Sequence, residues 1–190
     1  MEVRRIDVFS DTLADIAART AREADTFVAV RPNGAAQEPE DMIEGVLFGS
    51  GRHLLLVPDR KPARMAFDHI LVAWNGSRES TRALAESMPY LDKAKSVAVV
   101  SVVDDEVEEN ALIGVEAVTH LKHHGVEATL LHPKKRKSDV SAALIAEARR
   151  QEADLIVMGG YGHSRLREWL LGGMTYELLH QAPVPLLIAH

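Results

Sequence analysis

Four glycines near the carboxyl end of the chain, Gly159, Gly162, Gly172 and Gly173, have the spacing to hold an anion on backbone N–H groups. A short apolar run from Asp154 to Met158 leads at once into Gly159-Gly160-Tyr161-Gly162, and Gly172-Gly173 precedes a helical pattern and a last apolar run. Glycine lets a backbone take positive φ or come close to a ligand, and the first N–H groups of a helix form an anion site. The stretch reads as strand, glycine turn, loop, glycine turn, helix, strand: the phosphate-binding end of an α/β domain. The competing reading is turn geometry alone, because tight βα turns call for glycine whether or not anything binds there.

Other candidates are weaker. Asn75-Gly76-Ser77 follows an apolar run and serves equally as a helix cap or as a ligand contact. His163, Ser164 and Arg165 stand within reach of phosphates held by the glycines, and Thr175 lies two residues beyond Gly173, where a shifted turn would present its hydroxyl. Asp104-Asp105 ends another apolar run, as ribose or magnesium ligands or as solvated carboxylates. His120 and His124 have chelating i, i+4 spacing without a third ligand or an HExxH glutamate. Lys134-Lys135-Arg136-Lys137 reads as a solvated loop. A phosphoryl-transfer enzyme would need a metal-binding acid or an activated nucleophile beside the phosphates. The chain has no GxxxxGK[ST] or SGGxDS loop and no acidic residue between Gly159 and Arg167.

The elements that must position these residues follow from periodicity. Strands are expected at 26–30, 53–57, 69–74, 96–103, 126–131, up to Met158 and at 186–189, with helices at 11–24, 42–48, 78–91, 108–124 (closed by Gly125) and 139–151. From His69 onward, five apolar strands alternate with helices. That pattern implies a parallel sheet with helices on both faces, because each parallel connection needs a crossover. Ligands in such sheets lie beyond the carboxyl ends of the strands. Residues 59–66 have no apolar periodicity and read as a linker.

The 190 residues suffice for one α/β domain and something smaller. An apolar fraction of 46% beside 26% charged residues is that of a soluble globular protein. A net charge of −6 argues against sequence-independent nucleic-acid binding. Zero cysteines exclude disulfides, thiolate metal sites and cysteine catalysis. No apolar run approaches the roughly 18 residues of a membrane span, and Met1-Glu2-Val3-Arg4-Arg5 leads into no signal-peptide core, so the expected location is cytoplasmic.

Gly159-x2-Gly162-x9-Gly172, preceded by Val157-Met158 and followed by Gly173-Met174-Thr175, resembles the nucleotide-binding signature of the universal stress protein family. Nucleotide-binding members carry Ser or Thr where this chain has Gly173, one hydroxyl fewer. The resemblance implies a five-stranded parallel sheet in the order 3-2-1-4-5, of the adenine nucleotide alpha hydrolase-like kind. It also implies an adenine nucleotide (ATP, ADP or AMP) held as a ligand rather than a substrate. Ala73, Trp74 and Val102 would line the base pocket, and Asn75 would stand where the family often has a nucleotide-contacting Asp. Met158, Gly159, Gly162, His163, Ser164, Arg165, Gly172, Gly173, Met174 and Thr175 would surround the phosphates. No catalytic residue and no metal ligand is implied. A receiver domain is excluded by Leu131-His132-Pro133, which stand where its phospho-accepting Asp belongs.

The chain also matches itself. Ile16-Ala17 through Asp25 matches Ile145-Ala146 through Asp154, Val46–Ser50 matches Trp169–Gly173, and Leu54–Val57 matches Leu186–Ala189. The expected organisation is therefore residues 1–58 as the last third of a second unit lacking its first three strands, 59–66 as linker, and 67–190 as the complete domain. Two strands and two short helices bury no core alone. Family units pair through their last strands, which implies a homodimer or an internal pseudo-dimer through Leu54–Val57 and Leu186–Ala189. The functional expectation is a stress-response regulatory protein. An interaction or dimerisation module without a nucleotide and a slow ATPase are the alternatives.

Overall fold

The computed structural model describes residues 12–32, 40–59, 66–104, 113–135, 140–160 and 173–190. In chain order the elements are α1 (Leu13–Arg22), β1 (Phe27–Val30), α2 (Glu40–Gly49), β2 (Leu54–Val57), β3 (His69–Ala73), α3 (Arg78–Leu91), β4 (Ser96–Val100), β5 (Val103–Asp104), α4 (Val115–His123), β6 (Ala128–Leu131), β7 (Lys134–Lys135), α5 (Val140–Arg150), β8 (Leu155–Gly159), α6 (Met174–Gln181) and β9 (Leu186–Ala189). Among the described residues one sheet holds seven strands, in the order β1-β2-β9-β8-β3-β4-β6. The neighbours from β6 to β9 are all parallel, and counted along residues 69–189 their order is 3-2-1-4-5.

The two-residue period of a strand explains why these runs are apolar throughout. Leu71, Ala73, Ala98, Val100, Ile156, Met158, Leu186 and Ile188 face α1, α2, α5 and α6, meeting Ala21, Ile43, Leu47, Leu144 and Leu178. The intervening Ile70, Val72, Val97, Val99, Leu155, Val157 and Leu187 face α3 and α4, meeting Ala83, Leu84, Leu91, Ala117 and Leu121. Helices therefore cover both faces of the sheet.

The second strand is shorter than its apolar run. The chain leaves β4 at Val100, and Val103–Asp104 pairs instead with Lys134–Lys135 in a separate two-stranded ladder. That ladder takes in the first half of the basic run, which sequence reasoning placed in a solvated loop. Helix α4 begins at Val115, after Gly114 at φ +103°, and residues 108–112 of the expected helix lie outside the described residues.

Strand β2 runs antiparallel to β9 with Leu54 opposite Ile188, Leu55 opposite Leu187 and Leu56 opposite Leu186. This register is symmetric about the Leu55–Leu187 pair. The symmetry extends outward: β1 pairs β2 from Phe27–Leu54 to Val30–Val57 as β8 pairs β9 from Ile156–Leu186 to Gly159–Ala189. The bonds that flank the strands correspond too. Arg31 N–H donates to the Val57 carbonyl at 2.8 Å as Gly160 N–H donates to the Ala189 carbonyl at 2.8 Å. Two βαβ units thus meet across a local two-fold axis, with α2 in the place of α6.

That axis corrects one sequence match. Gly49-Ser50 does not correspond to Gly172-Gly173, because Gly49 is the last residue of α2 whereas Gly173 precedes the first turn of α6. Ser50 Oγ donates to the Val46 carbonyl at 2.5 Å and accepts from Arg52 N–H at 3.0 Å, closing a helix rather than opening one. The match paired similar letters on opposite ends of equivalent helices.

Helices α1 and α2 pack through small residues. A Cβ on Gly45 would lie 2.5 Å from the Ala14 carbonyl oxygen, and one on Gly49 would lie 3.1 Å from the Ala18 Cβ. Gly45→Ala is expected to push the two helices apart and to cost about 2 kcal/mol, read as a lowered urea midpoint at unchanged m-value.

Polar groups tie the first unit to α3. His53 is 4% exposed; its Nδ1 lies 2.9 Å from Glu86 Oε2 and its Nε2 3.0 Å from Thr26 Oγ1, which is 2.9 Å from the Tyr90 hydroxyl. Arg82 joins them, 2.5 Å from Glu86 Oε1 and donating to the Gly51 carbonyl at 2.8 Å. On the other face Arg31 donates to the Ala182 carbonyl at 2.5 Å, placing a cation at the negative end of α6.

Candidate functional site

In a sheet ordered 3-2-1-4-5 the connections diverge to opposite faces between the first and fourth strands, here β3 and β8, and a crevice opens beyond their carboxyl ends. Ala73 pairs with Met158 at that end. Beyond Ala73 the chain turns through Gly76 at φ +72° and enters α3. Asn75 Oδ1 accepts from Ser77 N–H at 3.1 Å, and Ser77 Oγ accepts from Ser80 N–H at 3.2 Å. The capping role is therefore realised, on a residue that is itself exposed.

Of the expected pocket residues, Ala73, Val102, Met158 and Met174 come to one face, all packed with the α5–α6 core. Trp74 does not join them. It packs with the α3–α4 core, close to Val99 and Leu130 and beside Gly114. The physical reason is the strand period: successive residues point to opposite faces, so Ala73 and Trp74 cannot form one wall. Thr175 is buried in the first turn of α6. Gly162, His163, Ser164, Arg165 and Gly172 lie outside the described residues.

The described glycines divide by cause. A Cβ on Gly159 would stand 2.5 Å from Ser80 N and 2.6 Å from the Glu79 carbonyl carbon, so glycine is required there to seat the first turn of α3 on β8. A Cβ on Gly160 would stand 2.7 Å from Ile188 Cγ2 and 3.2 Å from Leu47 Cδ2, where α2 closes over the end of the sheet. Gly173 is different. Its φ of −163° and ψ of 160° suit any residue, nothing described lies within 4 Å of an added Cβ, and it makes no side-chain cap for α6. Among the described residues neither crowding nor backbone conformation explains this glycine, and the N-cap gives the first N–H groups of α6 no side-chain partner.

Sequence reasoning missed Glu79. It is 7% exposed and stands in the first turn of α3, directly on Gly159. A hydrogen bond from its own backbone N–H holds its carboxyl below the ordinary carboxylate range; burial opposes this, and the Ser77 hydroxyl, Arg78 and His190 reinforce it. His190 lies just beyond β9, with Nδ1 2.9 Å from the Gly160 carbonyl and its ring 4.7 Å from that of Phe48. The sequence marked Glu79 only as an acid in a first helical turn, a position that is usually solvated. What buries it is the absent side chain of Gly159, distant in sequence.

Among the described residues, no group of three or more His, Asp or Glu side chains converges as a metal site. The His120 and His124 rings are 4.6 Å apart at their centroids and gain no third partner.

Comparison with known proteins agrees with this geometry. The profile of the universal stress protein family matches residues 66–190. The chain belongs to that family. Among curated proteins none matches the chain. A universal stress protein from Archaeoglobus fulgidus DSM 4304 superposes at a TM-score of 0.72 with 18% identity over 93% of this chain and 66% of the other. A putative universal stress protein from Pseudomonas aeruginosa UCBPP-PA14 gives 0.63 and 17% over 95% and 69%. A universal stress protein in complex with cAMP gives 0.54 and 20% over 66% of this chain and 98% of the other. At these identities the likeness is one of fold. The chain spans just under two thirds of the length of the Archaeoglobus protein. None of its described helices is long and apolar enough to cross a membrane.

Proposed function

We propose that the chain is a cytoplasmic stress-response regulatory protein that holds an adenine nucleotide as a ligand rather than a substrate. The observation that carries this reading is Gly173, an extended residue with no described atom within 4 Å of an added Cβ, at the start of the helix that leads from β8 to β9. The cAMP complex of a universal stress protein of the same fold supports it. Residues 12–59 act as part of a second unit of the same kind, docked as an internal partner on β9. The local two-fold axis through Leu55–Leu187 supports that organisation. So does the difference between similar structures, since one aligns over 66% of this chain while others align over 93–95%.

Native mass spectrometry of the freshly purified chain, followed by calorimetric titration with ATP, ADP, AMP and cAMP, tests the reading. Saturable binding with no steady phosphate release is the expected result. Gly173→Ser supplies the hydroxyl at a position of permissive φ where no described atom approaches an added Cβ. It is expected to tighten nucleotide binding about tenfold through one charge-assisted hydrogen bond and to stabilise the fold by only a few tenths of a kcal/mol.

A second reading is a nucleotide-free interaction module. It is favoured by Gly159 and Gly160, whose missing side chains are accounted for by packing alone. Absence of binding at millimolar nucleotide in both wild type and Gly173→Ser decides for it.

A further inference from the structure

We propose that the outer edge of β1 is a dimerisation surface, on which a second copy of the chain adds its own β1 antiparallel, with Val28 opposite the partner's Val30 and the two Ala29 residues facing each other. That edge is separated from β8 by β9 and β2, so the inference stands apart from nucleotide binding.

Strand β1 ends the seven-stranded sheet and, among the described residues, is paired on one side only, with β2. Phe27 N–H donates to the His53 carbonyl at 3.4 Å and Arg31 N–H to the Val57 carbonyl at 2.8 Å. In a parallel ladder alternate residues turn their backbone groups to the same neighbour. Phe27, Ala29 and Arg31 therefore face β2, and the N–H and C=O groups of Val28 and Val30 face outward. Their side chains are also the exposed ones, at 57% and 47%. Neither Lys nor Pro, which commonly guard a free edge, stands in Phe27-Val28-Ala29-Val30.

The internal two-fold axis narrows the choice of occupant. Val28 and Val30 correspond to Val157 and Gly159 of β8, whose outer neighbour is β3, with the first turn of α3 seated on Gly159. A Cβ on Gly159 would stand 2.5 Å from Ser80 N. Val30 carries that Cβ and two methyls besides, so a strand and helix of the β3–α3 kind has no seat on β1. Strand β9 offers a second copy no place, because β8 and β2 already pair with it on both sides.

An antiparallel copy of β1 meets these conditions. The outward groups of Val28 exchange two hydrogen bonds with the partner's Val30, and the symmetry axis repeats them, giving four around the central alanine pair. The side chain of Ala29 is small enough for the close approach of that pair. On the face opposite α1 and α2 the four valines form one cross-strand apolar strip, with no charge in the paired segment. The register closes on itself, so assembly stops at the dimer. Four residues a side make a small interface, and half-association is expected at a concentration on the order of 100 μM.

The test is sedimentation equilibrium of the full chain at concentrations on either side of that value, with amide hydrogen exchange measured at each. A monomer–dimer equilibrium is expected, in which the Val28 and Val30 amides gain protection as dimer forms. Val28→Pro removes an outward donor and leaves the bonds to β2 in place, and it should weaken association at least tenfold without lowering the urea midpoint of the dilute chain. Val30→Lys adds an edge guard and should have the same effect. Should Val28→Pro not fold, Val30→Lys and the exchange data on the wild type still decide. A monomer at every concentration, or a dimer indifferent to both variants, overturns the proposal. Protection of Val28 and Val30 already in the dilute monomer also overturns it, by showing the edge covered from within the chain. So do species larger than a dimer, which would place β1 against the opposite edge strand β6 instead.

Discussion

Gly159→Ala is expected to destabilise the chain by about 3 kcal/mol or more and to abolish whatever binding the crevice supports. The added methyl would lie 2.5 Å from Ser80 N and 2.6 Å from the Glu79 carbonyl carbon, both of them backbone atoms. Neither side can give way cheaply. Gly159 ends β8, which is paired with β3 on one side and β9 on the other. The first turn of α3 is fixed by the Ser77 cap and by Ala83, Leu84 and Leu91 packed on the sheet. Gly45→Ala meets a comparable overlap but lies between two helices at the edge of the sheet, where a small separation relieves it. The ordering of the two effects is itself a measurement: urea unfolding should show a larger loss for Gly159→Ala than for Gly45→Ala. Equal losses would mean that α3 is not held against β8 as tightly as its contacts imply. Lifting the first turn of α3 also moves Asn75, Ser77 and Glu79, so loss of ligand should accompany loss of stability.

The centre of the sheet was legible in the sequence because its strands are covered on both faces. Runs such as Ile70-Leu71-Val72-Ala73 and Leu155-Ile156-Val157-Met158 are apolar throughout, and the helices between them carry periodic apolar faces. The self-match at Leu54–Val57 and Leu186–Ala189 was legible for the same reason. The site was harder to read. Glycine at 159 and 160 signals only that a side chain is not tolerated, and whether a helix or a phosphate fills the space depends on residues far along the chain. Glu79 and Leu47 fill it here. Trp74 was assigned to the pocket by its position in a motif, although the strand period places it opposite Ala73. Gly49-Ser50 was matched by letters alone, and the register of β2 against β9 assigns it elsewhere.

The two-fold relation makes a further comparison within one molecule. By the pairing register, Val28 of β1 corresponds to Val157 of β8. Val157 is 0% exposed beneath α3, whereas Val28 is 57% exposed. One unit has both faces of its fourth-strand equivalent covered, and among the described residues the other has a single face covered, by α1 and α2. The first unit therefore depends on its seam with β9 for much of its core.

Leu55 lies on that seam, 7% exposed and opposite the fully buried Leu187. Leu55→Asp places a carboxylate in the apolar cluster that holds Val57, Leu187 and Ala189. Lost burial and an unpaired buried charge together are expected to cost about 3–4 kcal/mol. Val28→Asp, one strand further out and already facing water, should stay within about 0.5 kcal/mol of the wild type. Urea unfolding of the full chain checks both values. Limited proteolysis adds the structural readout, since undocking β2 from β9 should expose residues 12–59 to cleavage in Leu55→Asp and not in Val28→Asp. Equal resistance in the two variants would show that the His53–Glu86–Thr26–Tyr90 network and the Arg31–Ala182 bond hold the first unit in place without the central leucine pair.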